Sequence, residues 1–139
     1  MLLASAMKPA ETLPGLIQKG KASFYAKKFN GRRTAYGERV DSEALAGAHR
    51  QFPINTLVEV TNLSNNKSII VRINDRGPFA KGRVIDLTYA AARAIGMVSQ
   101  GVATVSLRVV GKGKAESLAA LSSVFTSPDL NQSLLQPVL

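Results

Sequence analysis

Three titratable residues stand beside turn chemistry rather than in charged runs. Asp75 closes the apolar stretch "SIIVRIND", His49 ends "LAGAH", and Glu38 follows Gly37 in "TAYGERVD". A carboxyl group with a second carboxyl and an imidazole nearby can protonate a leaving-group oxygen, provided burial raises one carboxyl's pKa. Each residue also has a plainer use. Asp75 can fold back on its own turn, as Asp commonly does. His49 can be a structural hydrogen-bonding histidine, and Glu38 a solvated side chain. Sequence spacing alone does not bring the three together.

The elements that must position them are short and mostly β. Ile69, Val71 and Ile73 alternate with Ile70, Arg72 and Asn74, a period of two in which one face is apolar and the other turns polar toward its end. Gly77 and Pro78 stop that strand, because Pro lacks the N–H that a ladder needs, and Asp75 is left at a strand lip. Strands are expected over residues 22–26, 57–62, 68–74, 84–86 and 103–110, with a hairpin turn through Asn62, Ser64, Asn65 and Asn66. "TYAAARAI" reads as one short helix, with Asp86 and Thr88 offered as N-caps and Gly96 as its left-handed stop. One short helix among many short strands points to a small, mostly β barrel. Residues 1–18, with Pro9, Pro14 and Gly15, read as a flexible N-terminal arm. Residues 19–111 read as the domain, and 112–139 as a linker and tail in which "ESLAALSSVF" could form an amphipathic helix.

Composition narrows the chemistry. The 139 residues suit one domain with its own core. There is no Cys and only one His, so neither a disulfide nor a thiolate nucleophile is available, and neither a metal site nor a cofactor is expected. No apolar run approaches the roughly 20 residues of a membrane-spanning helix, and no Cys is present to carry a lipid anchor. The net charge of +9 draws much of its excess from Lys19, Lys21, Lys27, Lys28, Arg32 and Arg33, a surface suited to polyanions. Nucleic acid would satisfy the charge, but no nucleic-acid motif or run of interleaved aromatics accompanies it.

The series "GKASFYAKKFNGRRTAYGERVD", "LAGAHRQFPINTLVEVTN" and "IIVRINDRGPFAKGRVIDLTYAAARAIGM" closely resembles the rare lipoprotein A family of bacterial cell-wall proteins, from about Gly20 to Val110. The resemblance implies a six-stranded double-psi β-barrel with one or two short helices. It also implies lytic transglycosylase action on peptidoglycan glycan strands, preferably those lacking stem peptides. Carried position by position, it places the catalytic acid on Asp75, the family histidine on His49 and the acidic partner on Glu38. Ser23, Tyr25, Thr34, Asn74, Arg76 and Phe79 fall on groove-lining positions. Arg72 and Arg76 would offer guanidinium charge to a muramic acid lactyl carboxylate, and with no Trp present sugar stacking would fall to Tyr25, Tyr36 or Phe79. Departures from the family pattern include Tyr36 for Ser, and Asn55 for a Gly whose left-handed turn Asn tolerates. The implied setting is a monomer in the periplasm or cell envelope, with division-site proteins as partners. The rival implied by the same fold is an expansin-like module that binds the wall without cutting it.

Overall fold

The computed structural model describes residues 14–114. The alternating and β-branched stretches become six strands: β1 Ile17–Phe24, β2 Ala46–Ala48, β3 Thr56–Asn62, β4 Lys67–Asp75, β5 Arg83–Leu87 and β6 Ala103–Lys112. They close into a barrel in the order β1-β5-β2-β4-β3-β6. Two pairs, β1 with β5 and β2 with β4, run parallel, and the other four run antiparallel. The expected mostly β, six-stranded barrel is therefore the observed one.

The core follows from the alternation. Ile69, Val71 and Ile73 turn inward against Val58, Val60, Val105, Leu107 and Val109, while Ile70 joins Leu57 in a small satellite cluster. Among the described residues one α-helix, α1 (Tyr89–Ala94), packs Ala91, Ala92 and the following Ile95 into the same core. Its N-cap is Thr88, whose hydroxyl accepts from the Ala91 amide and donates to the Ala44 carbonyl. Asp86, offered as a cap by the sequence, lies in β5 instead, one rung too early to reach the helix. Gly96 closes the helix at φ +68°, and the fully buried Asn62 donates to the Ile95 carbonyl left open there. A 3₁₀ turn, Lys27–Phe29, follows β1.

Two boundaries move. β1 begins at Ile17, inside the segment expected to be an arm, because Ile17 and Gln18 pair with Arg108 and Leu107 of β6. β2, the buried run Ala-Gly-Ala, was not expected at all. Residues 1–13 of the arm and the segment "ESLAALSSVF", on which a tail helix is expected, lie outside the described residues. Among the described residues no helix is long and apolar enough to cross a membrane.

Candidate functional site

β4 delivers Asp75 to the barrel surface as its last residue. Oδ2 accepts from the Tyr25 hydroxyl at 2.6 Å, and Oδ1 accepts from the Ala35 amide at 2.7 Å and from the Arg76 amide at 2.8 Å. One side chain thus bonds both the turn that follows it and the segment that carries Ala35. Three neutral donors fix the carboxyl, and none of them is a cation. Tyr25 continues β1, its amide bonded to the Leu87 carbonyl of β5. Burial, followed by the bond to Asp75, pushes the Tyr25 phenol well above its ordinary range, so it stays protonated and donates.

Ala35 reaches Asp75 from a turned segment built by Thr34. The Thr34 amide donates to the Glu38 carbonyl, its own carbonyl accepts from Gly37 at φ +89°, and its hydroxyl accepts from the Tyr36 amide. Thr34 is buried, so its hydroxyl serves the turn. Glu38 anchors the same segment to β4. Its carboxylate takes a two-pronged bond from Arg72, at 2.6 and 3.0 Å, and a longer one from Asn74. The Arg72 fork, ahead of the opposing effect of burial, holds the Glu38 carboxyl below its ordinary value. Arg72 also donates to Asn55, which takes the left-handed conformation at φ +74° that the sequence allowed it. Arg72 is therefore committed inside the protein and does not offer its charge to a ligand, contrary to the sequence expectation.

His49 stands at the end of β2, where its amide donates to the Asp75 carbonyl at 3.1 Å. Its ring is buried, stacked on Phe52 with centroids 3.7 Å apart. Nδ1 accepts from the Gln51 and Phe52 amides, which leaves Nε2–H to donate to Gln18 at 2.7 Å. Burial lowers its pKa to about 4. Both nitrogens are bonded within the fold, and the neutral ring braces the end of β2.

The remaining expected residues divide between exposed and buried. Phe79 is 76% exposed just beyond Asp75. Arg76 is exposed, donating to the Arg50 carbonyl and the Tyr36 hydroxyl with its guanidinium near the Tyr36 ring. Ser23 is buried and donates to the carboxylate of Asp86. Sequence reasoning missed the Glu38–Arg72 pairing, the Gln18 partner of His49 and the position of Asp86. Only the spacing of Arg72 on the polar face of its strand carried any signal for them.

Residues 17–107 match the model of a family described as lytic transglycolase. The chain is 44% identical over 127 residues to the endolytic peptidoglycan transglycosylase RlpA of Pasteurella multocida, covering 88% of this chain and 43% of that protein. It is 51% identical over 96 residues to the protein of the same name from Vibrio cholerae, covering 69% of this chain and 36% of that one. The chain thus spans less than half the length of these curated relatives. Among solved structures, a Streptomyces papain inhibitor superposes with a TM-score of 0.60 at 23% identity, over 73% of this chain and all of that one. The apo expansin of Clavibacter michiganensis superposes at 0.56 and 20% identity, over 71% of this chain and 52% of that one. These two likenesses concern the fold.

Proposed function

We propose that this chain, which belongs to the lytic transglycolase family of double-psi barrels, cuts peptidoglycan glycan strands between N-acetylmuramic acid and N-acetylglucosamine without water. The observation that carries the reading is Asp75: a carboxyl at a strand lip, held by Tyr25 and Ala35 with no cation bonded to it among the described residues, and followed in the chain by the exposed Phe79. Protonated Asp75 donates to the glycosidic oxygen as its bond to the anomeric carbon breaks. The C6 hydroxyl of the same muramic acid then closes on that carbon, and its proton returns to Asp75. No protein nucleophile is needed. Glu38, Arg72 and Asn74 act as positioning residues, fixing the segment that aims the Ala35 amide, and His49 braces the end of β2. Arg76 uses two of its five N–H groups within the protein, which leaves others for a lactyl carboxylate. Tyr36 and Phe79 supply the aromatic surface. The names of the relatives support this substrate, and such a substrate places the protein in the bacterial envelope, outside the cytoplasm.

Glycan strands freed of stem peptides, incubated with the protein and examined by mass spectrometry, should release sugars ending in 1,6-anhydro muramic acid. These ends are one water lighter than the ends a hydrolase leaves. Asp75→Asn should remove the product while keeping the thermal transition and glycan binding. Binding without product from either stripped or intact strands would leave a wall-binding module as the better reading.

A further inference from the structure

The reaction just proposed leaves a second carboxylate unused. β-Sheet register places Asp86 of β5 beside Ser23 of β1 on one side and Ala48 of β2 on the other, and Ala48 in turn pairs with Asp75 of β4. One rung of the barrel therefore reads Ser23, Asp86, Ala48, Asp75. Residues paired across strands share a face. With strands about 4.8 Å apart, the two aspartate backbones lie about 10 Å from each other.

The surroundings of Asp86 do not explain it as packing. Its neighbours Ile85 and Leu87 are fully buried, whereas Asp86 itself is half-buried and so points out of the core. Ser23 donates to Oδ1 and accepts in turn from Arg83, and among the described residues nothing donates to Oδ2. Between the two aspartates Ala48 is buried and adds no polar side-chain group to the face they share. Tyr25 links them: its amide is bonded to β5, its hydroxyl reaches Asp75 on β4, and the charges of both aspartates raise its phenol.

We propose that Asp86 is a second carboxylate of this groove, facing the sugar from across Ala48 and countering the positive charge that develops at the anomeric carbon as Asp75 protonates the glycosidic oxygen. The inference rests on the transglycosylase reading. Asp86 exchanges no proton and forms no bond. The electron pair of the broken bond leaves with the glycosidic oxygen, the new bond is to the C6 oxygen, and the proton given by Asp75 is restored to it. Ser23 and Arg83 hold Asp86 in place and act as positioning residues.

The test compares wild type, Asp75→Asn and Asp86→Asn on stripped glycan strands, with a cationic iminosugar and a neutral oligosaccharide titrated in parallel. Asp86→Asn should lower kcat about 10²-fold, the scale seen when one preorganised electrostatic partner is removed, with KM and neutral-sugar affinity within about twofold. The iminosugar should bind about tenfold more weakly or worse, since its charge mimics the developing cation. Wild-type kcat and iminosugar affinity in Asp86→Asn would overturn the inference and leave the reading of Asp75 intact. A wild type that releases no product would overturn both. Should Asp86→Asn lose its thermal transition, Ser23→Ala serves instead: a several-fold fall in kcat at unchanged KM supports the role, and unchanged kcat overturns it.

Discussion

Asp75 and Glu38 are both carboxylates beside a turn, both flagged by the same sequence logic, and the fold treats them in opposite ways. Glu38 is clamped by the two-pronged Arg72 guanidinium and steadied by Asn74. Asp75 is held about as firmly, but by a phenol and two amides. A fixed cation stabilises the charged carboxylate and opposes its protonation, so Glu38 is suited to holding a loop. Neutral donors fix the direction of the Asp75 carboxyl without placing a full charge beside it. The difference teaches that two carboxyls alike in sequence are told apart by their partners, a cation for one and neutral donors for the other, and the proposed roles follow that difference.

The sharpest way to break this contrast is to remove each acid in turn. Asp75→Asn should lower turnover about 10²- to 10⁴-fold with little change in melting temperature, because the amide still offers an acceptor to Ala35. Glu38→Gln should do the reverse in kind, shifting stability more than chemistry. If Glu38→Gln abolished turnover in a fully folded protein while Asp75→Asn did not, the assignment of acid and brace would be inverted.

Next in size is His49, which belongs with Glu38 among the braces. An unfolded chain binds a proton on this histidine below about pH 6.5, whereas the fold resists it until about 4. The neutral ring's contribution is therefore full above pH 6.5 and is lost as the pH falls toward 4, a change of about 3 kcal/mol over that window. Denaturant unfolding at several pH values should follow this slope, and His49→Gln should flatten it. A wild-type stability that held constant from pH 6.5 to 4 would mean that the ring is more open to water than its burial implies.

These contrasts mark what was legible in the sequence. β3 and β4 were readable almost to the residue, because β-branched alternation is a local signal, and α1 was readable from Thr88 and Gly96. β2 was not, since Ala46, Gly47 and Ala48 carry no alternation. They are small because the barrel is tight there: a Cβ on Gly47 would sit 2.9 Å from the Asp86 carbonyl. The start of β1 was hidden by its lysines, which face water while its backbone pairs with β6. In the site, Asp75 announced itself through the turn that follows it. Arg72 is 34 residues from Glu38, a contact made by barrel closure, so its charge looked available when it was not. Asp86 looked like a helix cap because its strand is only five residues long.

A smaller effect sharpens the Glu38 side. The Arg72 side chain is 13% exposed and that of Glu38 37%, between a surface pair and a buried one. Glu38→Gln should therefore cost about 1–2 kcal/mol, below the 3–5 of a fully buried pair. Because the folded Glu38 lies below its ordinary 4.5, the pair's contribution is complete above that pH and fades as the pH drops further. The variant and the wild type should converge in stability at strongly acidic pH. A stability difference that stayed constant down to pH 2 would show the loss to be one of packing rather than of charge.

The smallest effect tests the open side of the groove. Phe79 is the most exposed large apolar residue described, and it makes no core contact that its removal would forfeit. Phe79→Ala should therefore leave stability within about 0.5 kcal/mol. If a sugar face covers the ring, partial burial of a phenylalanine is worth about 1 kcal/mol, roughly fivefold in Kd. The loss should appear in binding and in KM, with kcat nearly unchanged, because stacking beside Asp75 stabilises ground state and transition state alike. A fall in kcat at constant KM would instead mean that the ring acts at the reacting bond, and would move the cleavage point toward Phe79. Unchanged binding would place the glycan on the other wall, along Tyr36 and Arg76, where the guanidinium already lies 5.5 Å from the phenol ring.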